Sequence, residues 1–297
     1  MPTVIEKYKN ANLGWFYYKH YFKSPDAEDI LANRNETIVK SLINNSEQYF
    51  DIPQETVSFC LKTIYPGLLI GSGYTHEAIF NNKEEKEEAI KIGFFFDHTT
   101  GMPYIPGHSV KGVLRNAFPN HKNEKFVEEK TETIIDYLGK KDDELMVFFK
   151  EYLSSKFKND NQDDAPSFSH KLFVELLGNI IFEGKEPCAF NKKTNSLEYR
   201  QIPIYKRDIF YDAYFYEGNR NREFLGTDYI TPHPNPLKNP NPIKFLKILP
   251  NVKIKFQFDL KDNLISKELK KELFKKILLD FGIGAKTNVG YGKFTEV

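Results

Sequence analysis

Lys253-Ile254-Lys255-Phe256-Gln257-Phe258-Asp259-Leu260 is the stretch on which the fold turns. Ile254, Phe256, Phe258 and Leu260 fall on one face, the period of two expected of a half-buried strand. Directly after it, Ser266 stands where a helix needs an N-cap. Apolar residues then recur at Leu269, Leu273, Ile277, Leu278 and Phe281 until Gly282 ends the helix. A glycine-rich loop follows, and Gly290–Val297 returns as a short strand. The C-terminal quarter is therefore strand, helix, loop, strand.

Nearer the N-terminus, Thr56–Ile64 shows the same alternation (Val57, Phe59, Leu61 and Ile64 against Ser58 and Lys62) and stops at Pro66-Gly67. Lys83–Lys91 is a charge run expected on a solvated face, and Ile92–Phe96 is a further strand candidate. Between about His108 and Phe118, Val110, Val113, Leu114 and Ala117 line one helical face. His108 or Ser109 is placed to cap that helix and Pro119 to stop it. Residues 120–177 read as charged and helical, 180–216 as rich in strand, and 217–243 as an irregular Asn-, Gly- and Pro-rich loop. Residues 1–56 read as helical, with Leu13, Trp15, Phe16, Tyr17, Tyr18, Tyr21 and Phe22 as a packing cluster rather than a stacking platform.

Strand, helix, strands, helix, strand is the order of a ferredoxin-like or RRM-like fold. The expectation is one elaborated α+β domain over 1–297. Its core is 57–119 and 170–297, with a helical N-terminal extension (1–56) and a helical insertion (120–169).

With 297 residues, 40% hydrophobic and 28% charged, the chain has the composition of a globular protein. No run of about 18 apolar residues marks a membrane span, and the N-terminus has no signal-peptide pattern, so a cytoplasmic protein with no membrane partner is expected. Cys60 and Cys188 form neither a disulfide framework nor a zinc cluster, so neither metal nor cofactor is expected. The net charge of +1 conceals an asymmetry. Residues 238–297 hold 13 Lys against 6 acidic residues, a surplus of seven, which leaves −6 for the rest. A local field of that kind can attract a polyanion whatever the total charge.

Two motifs carry the chemistry. In Phe281-Gly282-Ile283-Gly284-Ala285-Lys286-Thr287-Asn288-Val289-Gly290-Tyr291-Gly292-Lys293-Phe294, four glycines let backbone amides approach a phosphate. It is not an ATP-binding P-loop, because it lacks adjacent Gly-Lys and runs helix–loop–strand. In Tyr104-Ile105-Pro106-Gly107-His108-Ser109-Val110-Lys111-Gly112-Val113-Leu114-Arg115, Lys111 and Arg115 are spaced i, i+4 beside a helix N-terminus that attracts anions. Gly112 costs so short a helix about 1 kcal/mol relative to Ala, which points to close approach by a packed element or an RNA strand.

Pro106–Arg115 resembles the PGSSxKGxxR helix of the RAMP proteins, the repeat-associated family of CRISPR systems, and Phe281–Phe294 is similar to their C-terminal glycine-rich loop. Leu176-Leu177-Gly178-Asn179 and Phe210-Tyr211-Asp212-Ala213 resemble two internal segments of the family, and Asn12-Leu13-Gly14 is a weaker match. Asp228–His233 and the LLDFGIGAKT ending look most like the type III-B (Cmr) members that close the subunit filament. His108 departs from the family pattern, where Ser or Gly is usual, and Asn179 departs where Ser is frequent.

The resemblance implies an RRM-like, non-catalytic backbone subunit. It would hold crRNA and flank its pairing with single-stranded target RNA, in a complex with other Cmr backbone subunits and the small subunit. The residues implied to contact RNA are Gly71, Ser72, Gly73, His108, Ser109, Lys111, Arg115, Thr231, His233, Gly282, Gly284, Lys286, Thr287, Asn288, Gly290, Tyr291 and Gly292. The competing reading is a metal-independent crRNA-processing endoribonuclease, for which His76, His108 and His233 are the loop histidines near these motifs. A target-cutting role would need an Asp after the first strand, where Gly71–Ala78 offers only Glu77.

Overall fold

The structure, a computed structural model, describes residues 11–23, 31–40, 56–71, 89–90, 93–119, 125–157, 166–191, 194, 196–231 and 242–297. Its centre is a six-stranded antiparallel sheet built from β1 (Val57–Thr63), β2 (Tyr104–Ile105), β5 (Ile209–Phe210), β6 (Ala213–Glu217), β9 (Lys253–Asp259) and β10 (Phe294–Glu296). The strand order is β10-β1-β9-β6-β2, with β5 also pairing with β9. Two hairpins lie outside that sheet: β3 (Lys185–Asn191) with β4 (Ser196–Gln201), and β7 (Leu225–Ile230) with β8 (Ile243–Ile248).

The described helices are α1 (Leu13–Trp15, continued by a π-turn over Phe16–His20), α2 (Leu31–Lys40), α3 (Gly107–Ala117), α4 (Val127–Leu138), α5 (Asp142–Lys156), α6 (His170–Gly178) and α7 (Lys267–Phe281). The run β1-α3-β6-β9-α7-β10, with β1 between β9 and β10, is a split βαβ arrangement of the ferredoxin-like kind.

The pleat explains why one side of the sheet is core. Phe59 and Leu61 of β1 and Ile254, Phe256 and Phe258 of β9 point to the buried side. There they join Val110 and Leu114 of α3 and Leu273, Phe274, Ile277 and Leu278 of α7 in one cluster. Phe258 and Phe274 meet at 5.3 Å between centroids, and Phe274 meets Phe210 at 5.7 Å. Truncating a fully buried Phe of this kind to Ala costs about 3–5 kcal/mol. Helix α7 begins at the Ser266 cap, whose hydroxyl accepts from the Leu269 amide, and Lys293 donates to the Asp280 and Phe281 carbonyls at its far end. Beneath α7 lies an ion pair with both side chains fully buried: Lys270 meets Asp208 at 2.7 Å and also donates to the Lys261 carbonyl, while Asp208 accepts from the Lys261 amide.

Several sequence expectations are corrected here. Neither His108 nor Ser109 caps α3. Pro106 holds that position without a side-chain bond, and the Gly107 amide donates instead to Asp212 Oδ1, 105 residues away, at 2.7 Å. Ile92–Phe96 is not a strand in the part described; only Phe96 bridges, to Pro103. The charge run at Lys83–Lys91 mostly lies outside the described residues, but Ala89 and Ile90 near its end are buried. Asn179–Glu183 is a π-turn extending α6, not β-structure. The expected loop over 217–243 holds the strand β7, because β8 pairs with it residue for residue from Leu225–Ile248 to Ile230–Ile243. In the N-terminal segment Phe16, Tyr17 and Tyr21 are buried as a packing cluster should be, while Trp15 is exposed.

Candidate nucleic-acid interface

The glycine-rich loop is built by backbone crossings. After α7 the chain passes against Leu68-Leu69, and the Ala285 amide donates to the Leu69 carbonyl at 3.0 Å. At Gly284, φ is +92° and an added Cβ would lie 2.4 Å from the Leu69 oxygen, so no side chain fits. Gly292 closes the loop by donating to the Gly67 carbonyl at 2.8 Å, while its own carbonyl accepts from Ile283 at 2.9 Å. Gly282 and Gly290 lie within the same closure, their amides bonded to the Leu278 and Thr287 carbonyls. The glycine at position 71 is also a crossing point, where a Cβ would lie 1.9 Å from the Gly93 oxygen. That contact is with Gly93 and not with the glycine-rich loop, which the chain meets two residues earlier at Leu69; Ser72 and Gly73 lie outside the described residues.

What this leaves facing outward is the tip. Lys286 adopts a left-handed conformation (φ 61°), Thr287–Val289 turn as a 3₁₀ segment, and Gly290 is again left-handed (φ 97°). The amides of Val289, Gly290 and Tyr291 are bonded within the tip. Those of Lys286, Thr287 and Asn288 have no partner among the described residues, and neither does the Lys286 ammonium. Successive amides in such a turn form a concavity suited to an anion, with a cation at its rim. Tyr65 beside it is 84% exposed and Val289 62%.

Tyr291 has a different task. Its hydroxyl donates to Asp228 at 2.7 Å, Lys247 meets the same carboxylate oxygen at 2.6 Å, and its ring packs on Phe245 at 5.9 Å. Partial burial would raise the Asp228 pKa, but the Lys247 and Tyr291 hydrogen bonds outweigh it and hold the carboxyl below its usual value. Burial, reinforced by the bond to Asp228, raises the Tyr291 phenol. Tyr291 thus ties the loop to the β7–β8 hairpin. Thr231 follows that hairpin's first strand and is exposed, and His233 lies outside the described residues.

The second motif lies elsewhere. Gly107 is pressed against Phe210, whose oxygen would be 2.2 Å from an added Cβ, and Phe210 pairs with Phe258. The glycine-rich loop sits instead where Thr63 bonds to Val252 and Ile64 to Lys293. Six residues of β9 separate those levels, roughly 20 Å at about 3.3 Å per residue. The two motifs therefore mark separate points along the sheet.

At the α3 end the anion position is already filled, since the Asp212 carboxylate takes the helix N-terminus. Arg115 pairs with Glu183 at 3.0 Å and donates to the Pro119 carbonyl, so it ties α3 to the π-turn after α6. Lys111 lies over the Phe210 ring at 5.8 Å, and His108 and Ser109 lie at the surface of the first turn. At Gly112 an added Cβ meets nothing within 4 Å. No element of the described chain needs that glycine.

The positive surplus of the C-terminal segment is largely engaged. Lys247, Lys253, Lys261, Lys270 and Lys275 pair with carboxylates, and Lys276 and Lys293 donate to backbone carbonyls. Lys255, Lys267 and Lys286 have no such partner among the described residues. Counting charges along the sequence could not have separated these three from the others. Among the described residues no group of His, Cys, Asp and Glu could hold a metal ion, and no helix is long and apolar enough to cross a membrane.

This chain belongs to the RAMP superfamily, whose family model matches residues 60–295. Within that family it is similar to the CRISPR system Cmr subunit Cmr6 of Pyrococcus furiosus, at 28% identity over 218 residues. That match covers 66% of this chain, and the chain spans 58% of the length of that relative. Among solved structures it is similar to a chain of the type III-B Cmr-beta complex bound to cognate target RNA (TM-score 0.47, 20% identity, 97% of this chain and 84% of that one). It is also similar to Cmr6 from Pyrococcus furiosus in its crystal structure (TM-score 0.37, 22% identity, 82% and 97%).

Proposed function

We propose that this protein is a non-catalytic backbone subunit of a type III-B CRISPR effector, which holds crRNA near its 3′ end while the guide pairs with target RNA. The single observation that supports this best is the tip Lys286–Asn288. There, three successive amides and an ammonium without a partner among the described residues are presented on a loop held on both sides by backbone bonds. A rigid concavity of that kind grips phosphate without reading sequence, and the choice of target then belongs to base pairing. Lys111, His108 and Ser109 would form a second contact about 20 Å away, a span of about six nucleotides of stacked strand at about 3.4 Å each. Arg115 would contribute mainly through its pair with Glu183. The partners in this reading are crRNA, single-stranded target RNA, and the other backbone and small subunits of a Cmr complex. RNA held in this way stays uncut.

The test is a salt titration of single-stranded RNA binding to the full chain. Each phosphate contact contributes about −0.7 to the slope of log K against log salt for a single strand. Lys286→Ala should weaken binding and flatten the slope by about that amount. Unchanged affinity and slope for both Lys286→Ala and Lys111→Ala would remove the proposal.

A further inference from the structure

The face of the sheet opposite the core carries a pattern that the two motifs do not include. Because side chains alternate along each strand, residues directly across from one another share a face. Cys60 of β1 lies across from Lys255 of β9, Lys255 across from Tyr214 of β6, and Tyr214 across from Tyr104 of β2. One residue pair further along β1, Lys62 lies across from Lys253. All six are partly exposed, whereas their in-strand neighbours Leu61, Ile254, Phe215 and Ile105 are buried in the core. The Tyr104 and Tyr214 rings lie near-parallel, 24° apart with centroids at 6.0 Å.

Two features of this row ask for an anionic, aromatic ligand. Lys62 directly opposite Lys253 places like charges across a strand pair, which is unfavourable unless negative charge answers them. Glu217 answers Lys253 at 2.8 Å, but Lys62 and Lys255 have no carboxylate partner among the described residues. Beside these cations stand two tyrosine rings in one stack, and a flat unpaired base can extend such a stack. The row also begins at the glycine-rich loop. Two residues after Lys62, the Ile64 amide bonds to the Lys293 carbonyl, next to Gly292.

We infer that this face is a track for single-stranded RNA, continuous with the glycine-rich loop, in which Lys62 and Lys255 meet phosphates while Tyr214 and Tyr104 stack against unpaired bases. The inference rests on the RNA-holding reading above and adds to it the course of the strand and its single-stranded state. Duplex RNA would offer its phosphates but not its base faces.

The experiment uses the full chain with single-stranded RNA and with a duplex of the same sequence. Lys255→Ala and Tyr214→Leu should each weaken single-strand binding, Tyr214→Leu on the order of tenfold for one lost stacked base. Duplex binding should change less than twofold in Tyr214→Leu. Should Tyr214→Leu fold poorly, alkylation of the two free thiols supplies an independent reading. Saturating single-stranded RNA should slow modification of Cys60, which lies in the row, and leave the exposed Cys188 on β3 unaffected. Cys60 reacting at the same rate with and without bound RNA, together with parental affinity in Lys255→Ala, would overturn the inference. If Lys286→Ala still weakened binding in that case, the glycine-loop reading would stand. If it did not, both would fall. Equal losses for duplex and single strand in Tyr214→Leu would point to a distorted fold or a duplex site, and would also overturn the track.

Discussion

Removing the Asp212 carboxylate should separate the structural part of the α3 motif from any RNA contact. Asp212 Oδ1 accepts from the Gly107 amide at 2.7 Å, and Gly107 is buried against Phe210, so the amide is poorly placed to find water once the bond is lost. Losing an N-cap acceptor costs about 1–2 kcal/mol, and a buried orphan amide costs about 1–3 kcal/mol by itself. These describe one bond from its two ends, and the Tyr214 hydroxyl also bonds to this carboxylate, so Asp212→Ala should lose at least about 2 kcal/mol. Asp212→Asn keeps an acceptor and loses only the charge at the helix N-terminus, about 0.3–1 kcal/mol. At about 2.1 cal/mol/K per residue, unfolding this chain of 297 residues carries an entropy of about 0.6 kcal/mol/K. The Ala variant should then melt at least about 3 °C below the parent and the Asn variant about 1 °C below. The assay is thermal and urea denaturation with single-stranded RNA affinity in parallel, and neither variant should lose affinity. Asp212→Ala melting with the parent, or Asp212→Asn melting as low as Asp212→Ala, would refute the capping argument. Lost RNA affinity in a fully folded Asp212→Asn would refute the claim that the carboxylate has taken the anion position.

Three further outcomes follow from the same geometry. Gly112→Ala should raise stability by about 1 kcal/mol, because the helix gains Ala and the new Cβ meets nothing within 4 Å; lower RNA affinity or loss of partner subunits in this more stable variant would reveal what approaches there. Lys270→Ala leaves the Asp208 carboxylate buried and uncompensated and should lose about 3–5 kcal/mol in urea denaturation, whereas Lys270→Met with Asp208→Leu should recover most of that loss. Asp228 has a folded-state pKa lowered from 3.8, so its stabilising bonds to Lys247 and Tyr291 are fully present above that value and are lost as pH falls below it. In Asp228→Asn that part of the acid destabilisation below about pH 4 should be absent.

The helices and central strands were legible because each carries a local pattern with a local cause. The alternation over Val57–Thr63 and Lys253–Asp259 and the Ser266 cap are written in adjacent residues, and the structure repeats them nearly to the residue. What was illegible depends on distant partners. The strand Leu225–Ile230 contains Gly226 and Asp228, poor strand formers, and exists because β8 pairs with it along its full length. The cap on α3 comes from Asp212, a residue that nothing near Gly107 in sequence could announce. Charge was the least legible. Lys286 and Lys270 look alike along the chain, yet one faces outward at the loop tip and the other is buried against Asp208. The row Cys60–Lys255–Tyr214–Tyr104 is visible only once the register is known, since its members come from four strands spread over nearly 200 residues.

The measurement that bears most directly on the central claim is affinity purification of the tagged protein, co-expressed with its neighbouring genes, with sequencing of the RNA and identification of the proteins that accompany it. Discrete, intact guide-length RNAs should accompany the protein together with several other RAMP subunits, and both should be lost from a variant in which Lys286 and Lys111 are replaced by Ala. Recovery of the protein alone, with no RNA or with cleaved repeat RNA, would refute the RNA-holding reading.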